Sequence, residues 1–165
     1  AFILFTSFRS LNKAAGFIRE KSDYPLFVQG ESSRGELLDR FKRTANAVLL
    51  GTSTFWEGVD VRGAQLRCVI IDKLPFAVPS DPLVKAKIEA SIERGENPFT
   101  ALQIPYAITV LKQGAGRLIR DVADRGVLMI GDNRLTSSSY GKVFIRSLPP
   151  MRRTSDIDDV EIFFS

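Results

Sequence analysis

Five short apolar runs, alternating with segments of helical spacing, constrain this chain more than any other feature. They are "AFILFTS", "YPLFVQ", "NAVLLGTS", "QLRCVIIDKL" and "RGVLMIGD", each rich in aliphatic or aromatic residues and closed by a polar or glycine-containing turn. Several are apolar throughout rather than alternating. The fourth and fifth are expected to be buried on both faces. Between the runs lie "SLNKAAGFIREK", with Leu11, Ala14, Ala15 and Ile18 on one helical face, and "SSRGELLDRFKRT", a second amphipathic helix. Ser10 is the expected N-cap of the first helix. Apolar strands alternating with amphipathic helices predict an α/β fold with a parallel sheet flanked by helices. Such sheets bind ligands at the carboxyl ends of their strands. The turns "FTSFRS", "VQGESS", "LGTSTFWEGVD" and "IGDNRL" are therefore where chemistry is expected.

A long segment separates the fourth and fifth runs. "PFAVPSDP" carries three prolines and cannot be helical throughout. "PLVKAKIEASIERGE" reads as a helix with Pro82 at its start and Gly95 near its end. "NPFTALQIPYAITVLKQGAGRLIRDV" holds another helix, kinked or interrupted by Pro105. The closing "RRTSDIDDVEIFFS" is expected to form a short amphipathic helix capped by Ser155 or Asp156, with Ile157, Val160, Phe163 and Phe164 facing the body.

Composition narrows the chemistry. A chain of 165 residues is one domain by size. No apolar run approaches the roughly 20 residues that span a bilayer. The opening run lacks a basic flank and a cleavage pattern, so it reads as a buried strand rather than a signal peptide. It starts strand-like and without methionine, which suggests a piece cut at a domain boundary. Cys68 is the sole cysteine, which rules out an internal disulfide and fits a reducing, cytoplasmic setting. Histidine is absent, so a Ser-His-Asp triad is excluded. A net charge of +4 suits a nucleic-acid or nucleotide partner without requiring one.

Three motifs stand out. In "LKQGAGRLIR", Gly114 and Gly116 each cost a helix roughly 1 kcal/mol against alanine, which asks for a close approach to the backbone. Arg117 and Arg120, at spacing i, i+3 on one helix face, converge on a single anion. Gln113 stands beside them. "GTSTFWEGVDVRG" follows the third strand with hydroxyls at Thr52, Ser53 and Thr54, carboxylates at Glu57 and Asp60, and Gly58 between those two. Trp56 reads either as a core anchor of that loop or as a base-stacking platform. "FTSFRSL" offers Ser7 and Arg9 to a nucleic-acid backbone. Each motif has a plain alternative when read alone: an exposed helix end, a loop pinned by Phe55 and Trp56, and helix capping by Ser7 or Ser10.

Taken in order and spacing, the three resemble motifs IV, V and VI of superfamily 2 helicases. "QGAGRLIR" fits the Q-x-x-G-R-x-x-R form of motif VI, and "FWEGVDVRG" resembles motif V of the XPD/DinG branch. "DKLPFAVPSDPLV" and "GVLMIGDNRL" are similar to that branch too, closest to its bacterial DinG-like members, and the resemblance covers essentially the whole chain. It implies a RecA-like second lobe, spanning 1–165, of an ATP-dependent DNA helicase travelling 5′ to 3′ and acting in DNA repair or replication. By this resemblance Arg120 and Arg117 are arginine fingers toward the γ-phosphate, with Gln113 organising the same interface. Glu57, Gly58, Asp60 and Gly116 face the nucleotide. Ser7, Arg9, Gly30, Thr52 and Ser53 lie along single-stranded DNA.

The departures are equally informative. The chain has no G-x-x-x-x-G-K-[ST] loop, no D-E-A-H-type carboxylate pair for Mg2+, and no four-cysteine set for the iron–sulfur cluster of this branch. ATP, Mg2+ and the cluster are therefore expected mainly on an absent first lobe, and this lobe alone is expected to be inactive. An alternative reading makes the chain a protein-interaction module. Its 151–165 tail resembles the acidic, phenylalanine-ended tails of single-stranded-DNA-binding proteins, and the bacterial branch points to the clamp-loader χ subunit as a partner. On that reading, loss of Phe163 and Phe164 spares ATP chemistry.

Overall fold

The computed structural model describes residues 1–52, 55, 66–119 and 124–165. Its strands are β1 (Phe2–Phe5), β2 (Leu26–Val28), β3 (Val48–Thr52), β4 (Cys68–Ile71) and β5 (Val127–Ile130), one inside each apolar run. They form one sheet in the order β2-β3-β1-β4-β5. Every neighbouring pair is parallel, with Phe5 opposite Thr52 and Val28 opposite Leu50. The described helices are α1 (Phe8–Lys21), α2 (Arg34–Arg43), α3 (Pro82–Glu93), α4 (Ile104–Ala115), α5 (Arg134–Ser137), α6 (Gly141–Ser147) and α7 (Asp158–Phe164). The α/β architecture expected from the alternation is the one observed.

The two-residue period of the strands divides the core. Phe2, Leu4, Phe27, Leu49, Val69 and Ile71 face one side, where they meet Leu37 and Phe41 of α2, Ile104, Ala107 and Leu111 of α4, and Phe144 of α6. Phe5, Val28 and Leu50 face the other side and pack on Leu11 and Ala15 of α1. Each such side chain fully removed from water contributes about 1.5–3 kcal/mol. The larger cluster is therefore the main source of stability.

Local details differ from expectation in instructive ways. Ser7, not Ser10, caps α1: its backbone is extended where β1 ends, and its hydroxyl accepts the Ser10 N–H at 3.2 Å. The helix thus begins directly after the strand. β5 is not covered like β4. It is an edge strand, and Met129 is 45% exposed. At Pro105 the regular helix is interrupted: a π-helical turn at Phe99–Gln103 precedes α4 and places the proline in the first turn, where a missing N–H is harmless. At α7 the cap position is Ile157, and Asp156 instead accepts the Asp158 N–H at 3.0 Å. α3 follows the pattern read from its sequence. Asp81 accepts the N–H groups of Leu83 and Val84, Pro82 leads the helix, and Gly95 takes a positive φ of 74° just beyond it.

Candidate nucleic-acid and phosphate interface

Because every strand is parallel, all five carboxyl ends lie on one edge. Ser7 and Arg9 stand there after β1, Gly30 after β2, Thr52 at the end of β3, and Asp132 after β5. Ser7 and Arg9 are exposed at the start of α1. Gly30 has φ of +100°, a backbone that disfavours any side chain, and the Glu31 N–H turns back to the Val28 carbonyl at 3.1 Å. Arg19 of α1 pairs with Glu31 across this turn.

Thr52 is buried at 6% exposure. The Gln29 side-chain carbonyl accepts both its N–H, at 2.6 Å, and its hydroxyl, at 3.0 Å. Gln29 thereby joins the ends of β2 and β3, a role that no motif in the sequence announced. Phe55 is buried at 3%, edge-on to Phe2 and under the Arg34 guanidinium at 5.4 Å. It closes over the end of β3 because residue 51 is glycine: a Cβ there would lie 2.8 Å from the Phe55 Cβ. Phe55 is thus buried as an anchor would be, and Trp56, paired with it in that reading, lies outside the described residues.

Past β4 and β5 the edge is held by Asp132. Its carboxylate accepts the buried Leu74 N–H at 2.9 Å, the Arg134 N–H at 3.0 Å, and the Arg134 guanidinium through Nε at 2.9 Å and Nη2 at 2.6 Å. The hydrogen bonds from Arg134 hold its pKa down to about 2, against the opposing effect of burial. Arg134 lies 5.2 Å over the ring of Phe76, which meets Phe99, Tyr140 and Phe144 in an aromatic cluster. An open cleft of about 580 Å³ runs past Lys73, Gly131, Asp132, Asn133 and Arg134. The "IGDNRL" turn was singled out in the sequence as a whole. Asp132 and Arg134 as a pair were not, and only their meeting with Leu74 gives them a shared role.

The glycine–arginine motif lies elsewhere. α4 starts near the carboxyl edge, where Gln103 accepts the Ala77 N–H at 3.1 Å, and runs back across the sheet under β4. Its twelve residues rise about 18 Å. The helix stops at Ala115, so Arg117 does not sit on a helix face as the spacing predicted. The chain instead tightens into a turn in which Gly116, Arg117 and Leu118 donate to the carbonyls of Lys112, Gly114 and Ala115. Gly114 is buried, and a Cβ at Gly116 would come within 3.1 Å of the Lys112 carbonyl oxygen. Leu118 fills the space a side chain at residue 126 would need, 2.5 Å from that Cβ position, which is itself 3.0 Å from the Arg67 carbonyl. Residues 67 and 126 directly precede β4 and β5. Arg117 therefore stands at the amino edge, half-buried, with Gln113 exposed one turn earlier. Ser53, Glu57, Gly58, Asp60, Trp56 and Arg120 lie outside the described residues.

The two edges differ in what they can do. One presents turns, hydroxyls and cations across several strand ends, while the other presents an arginine next to a glycine turn. A model of the helicase C-terminal domain matches residues 1–151. The chain belongs to that family. The ATP-dependent DNA helicase YoaA of Haemophilus influenzae is 52% identical over 159 residues, 96% of this chain and 25% of that protein. The ATP-dependent helicase DinG of Mycobacterium tuberculosis is 40% identical over 157 residues, 95% of this chain and 24% of that protein. This helicase C-terminal domain thus spans about a quarter of the length of the curated relatives it matches. A solved XPD helicase shares its fold, with a TM-score of 0.63 over 92% of this chain and 28% of that one at 21% identity. No helix among the described residues is long and apolar enough to cross a membrane.

Proposed function

We propose that this domain is the second motor lobe of an ATP-dependent DNA helicase, with its two jobs on opposite edges of the sheet. On the carboxyl edge, Ser7, Arg9 and the Gly30 turn contact the backbone of single-stranded DNA, and Ser53 is assigned to the same strand from its motif alone. Thr52, tied to Gln29, sets the spacing of that track. On the amino edge, Arg117, with Gln113 and Gly116, serves the γ-phosphate of ATP held by a first lobe; Arg120, Glu57, Gly58 and Asp60 are assigned to the same nucleotide from their motifs alone. The observation that supports this reading is the separation itself. Side chains suited to a strand backbone gather at one edge, and the arginine turn lies at the other, on a helix that links the two.

The donor chemistry assigns the cofactors unequally. Guanidinium groups suit the terminal phosphate of ATP and stabilise charge that develops there as the phosphoryl group leaves. Among the described residues, no three His, Cys, Asp or Glu side chains gather closely enough to hold a metal ion. Mg2+ and an iron–sulfur cluster belong, in this proposal, to the first lobe, on the resemblance to the XPD/DinG branch and the lack here of a four-cysteine set and a D-E-A-H-type carboxylate pair. Travel is 5′ to 3′ in the proposed enzyme, and its setting is bacterial DNA repair or replication in the cytoplasm.

The test is ATP turnover with single-stranded DNA present, on this lobe alone and on the lobe mixed with a separately made first lobe. The expected outcome is silence alone and turnover in the mixture, lost on Arg120→Ala. Turnover by the lone lobe that survives Arg120→Ala would sink the assignment.

A further inference from the structure

We infer that α7 is a positioning clamp for the arginine turn. This inference rests on the proposed function for its catalytic consequence and on geometry for the clamp itself. Phe163 and Phe164 meet edge-on with centroids 5.2 Å apart. The Arg125 guanidinium lies 5.0 Å from the Phe163 ring, and the Arg67 guanidinium 4.9 Å from the Phe164 ring. Arg152 donates to Asp159 at 3.1 Å and holds the front of the helix.

The two arginines under these rings belong to the amino edge. Arg67 precedes β4, its carbonyl accepts the Val127 N–H at 2.9 Å, and Arg125 comes two residues before β5. Between them Gly126 forms the platform that receives Leu118, the residue after Arg117. The chain of contact therefore runs from the phenylalanine pair, through Arg67 and Arg125, to the backbone at Gly126, and from Leu118 to Arg117. Nothing else among the described residues covers those two guanidiniums with aromatic rings. Phosphoryl transfer depends on holding its charged groups in place, and an error of about 1 Å can cost on the order of a hundredfold in rate. A segment that fixes the strand starts fixes the arginine as well. The consequence reverses the expectation drawn from the tail sequence, in which losing the two rings spares ATP chemistry.

The experiment compares the full-length polypeptide with its Phe163→Leu/Phe164→Leu and Phe163→Tyr/Phe164→Tyr variants. Leucine keeps apolar bulk without a ring face, and tyrosine keeps the ring. Hydrogen exchange at the amides of Gly116, Arg117 and Leu118 reads the clamp without reference to catalysis. Faster exchange there in the leucine variant, restored in the tyrosine variant, is expected, with kcat down roughly tenfold and the Kd for DNA unchanged. If the α7 amides open while exchange at 116–118 stays as in the parent, the clamp is overturned. Faster exchange with unchanged kcat keeps the clamp and sinks the assignment of the turn to ATP chemistry instead.

Discussion

The carboxyl and amino edges of this sheet are built in opposite ways. At the carboxyl edge, side chains join segments far apart in the chain, Gln29 to Thr52 and Asp132 to Leu74, while Arg134 and Phe55 add local ties to Asp132 and over Gly51. The strand ends are locked to each other, and Ser7 and Arg9 remain exposed between them. At the amino edge the backbone itself does the shaping, through a helix that stops at Ala115 and a tight turn held by its own carbonyls. Leu118 of the turn rests on the strand starts at Arg67 and Gly126, and the rings over the Arg67 and Arg125 guanidiniums come from α7. In the proposed function the first edge is the rim that tracks a strand, and the second is one turn, propped from outside, that places an arginine.

That contrast can be broken by experiment. The largest effect is expected from Arg120→Ala in the full-length polypeptide: turnover falls by about 10³ or more, while equilibrium binding of a fluorescent single strand stays within about twofold. If binding falls in step with turnover, the two edges are not separate sites. Next comes Asp132→Ala, which leaves the buried Leu74 N–H without an acceptor and Arg134 without its carboxylate. It should cost about 2–3 kcal/mol in denaturant unfolding.

The same carboxylate predicts a pH dependence. Its folded pKa of about 2 lies below the ordinary 3.8, so its contribution is complete above about pH 4 and is lost as pH falls toward 2. Acid titration of parent and Asp132→Asn should therefore converge at the low end, and parallel curves would show that Asp132 is not the group responsible. The smallest effect is expected from Arg9→Ala. One lost phosphate contact should weaken strand binding a few-fold and reduce the salt dependence by about one unit of slope. ATP turnover at saturating DNA should not change. A fall in turnover there would mean that Arg9 serves the nucleotide.

Much of the fold was legible because it follows from periodicity. Five apolar runs became five strands, and both amphipathic segments between them became helices. The misreadings share a cause. Arg117 on a helix face, β5 as a covered strand, and the choice between Ser7 and Ser10 as cap each concern a boundary or a neighbour, which local pattern does not carry. The same limit hid Gln29, which looks like any polar residue after a strand until Thr52 arrives beside it 23 residues later. The tail does meet the body through Phe163 and Phe164, but on arginines rather than on apolar side chains, and Ile157, expected to face the body, is 57% exposed.

By itself, then, the sequence determined the strand and helix content and the identity of the polar turns, because hydrophobic spacing and turn chemistry act within a few residues. Only the tertiary structure decided which turns share an edge. The order β2-β3-β1-β4-β5 puts Ser7, Gly30 and Thr52 together, and the reverse run of α4 carries Arg117 to the far side. Those placements depend on which strands pair and which helix crosses them, and such pairings join residues far apart in the chain.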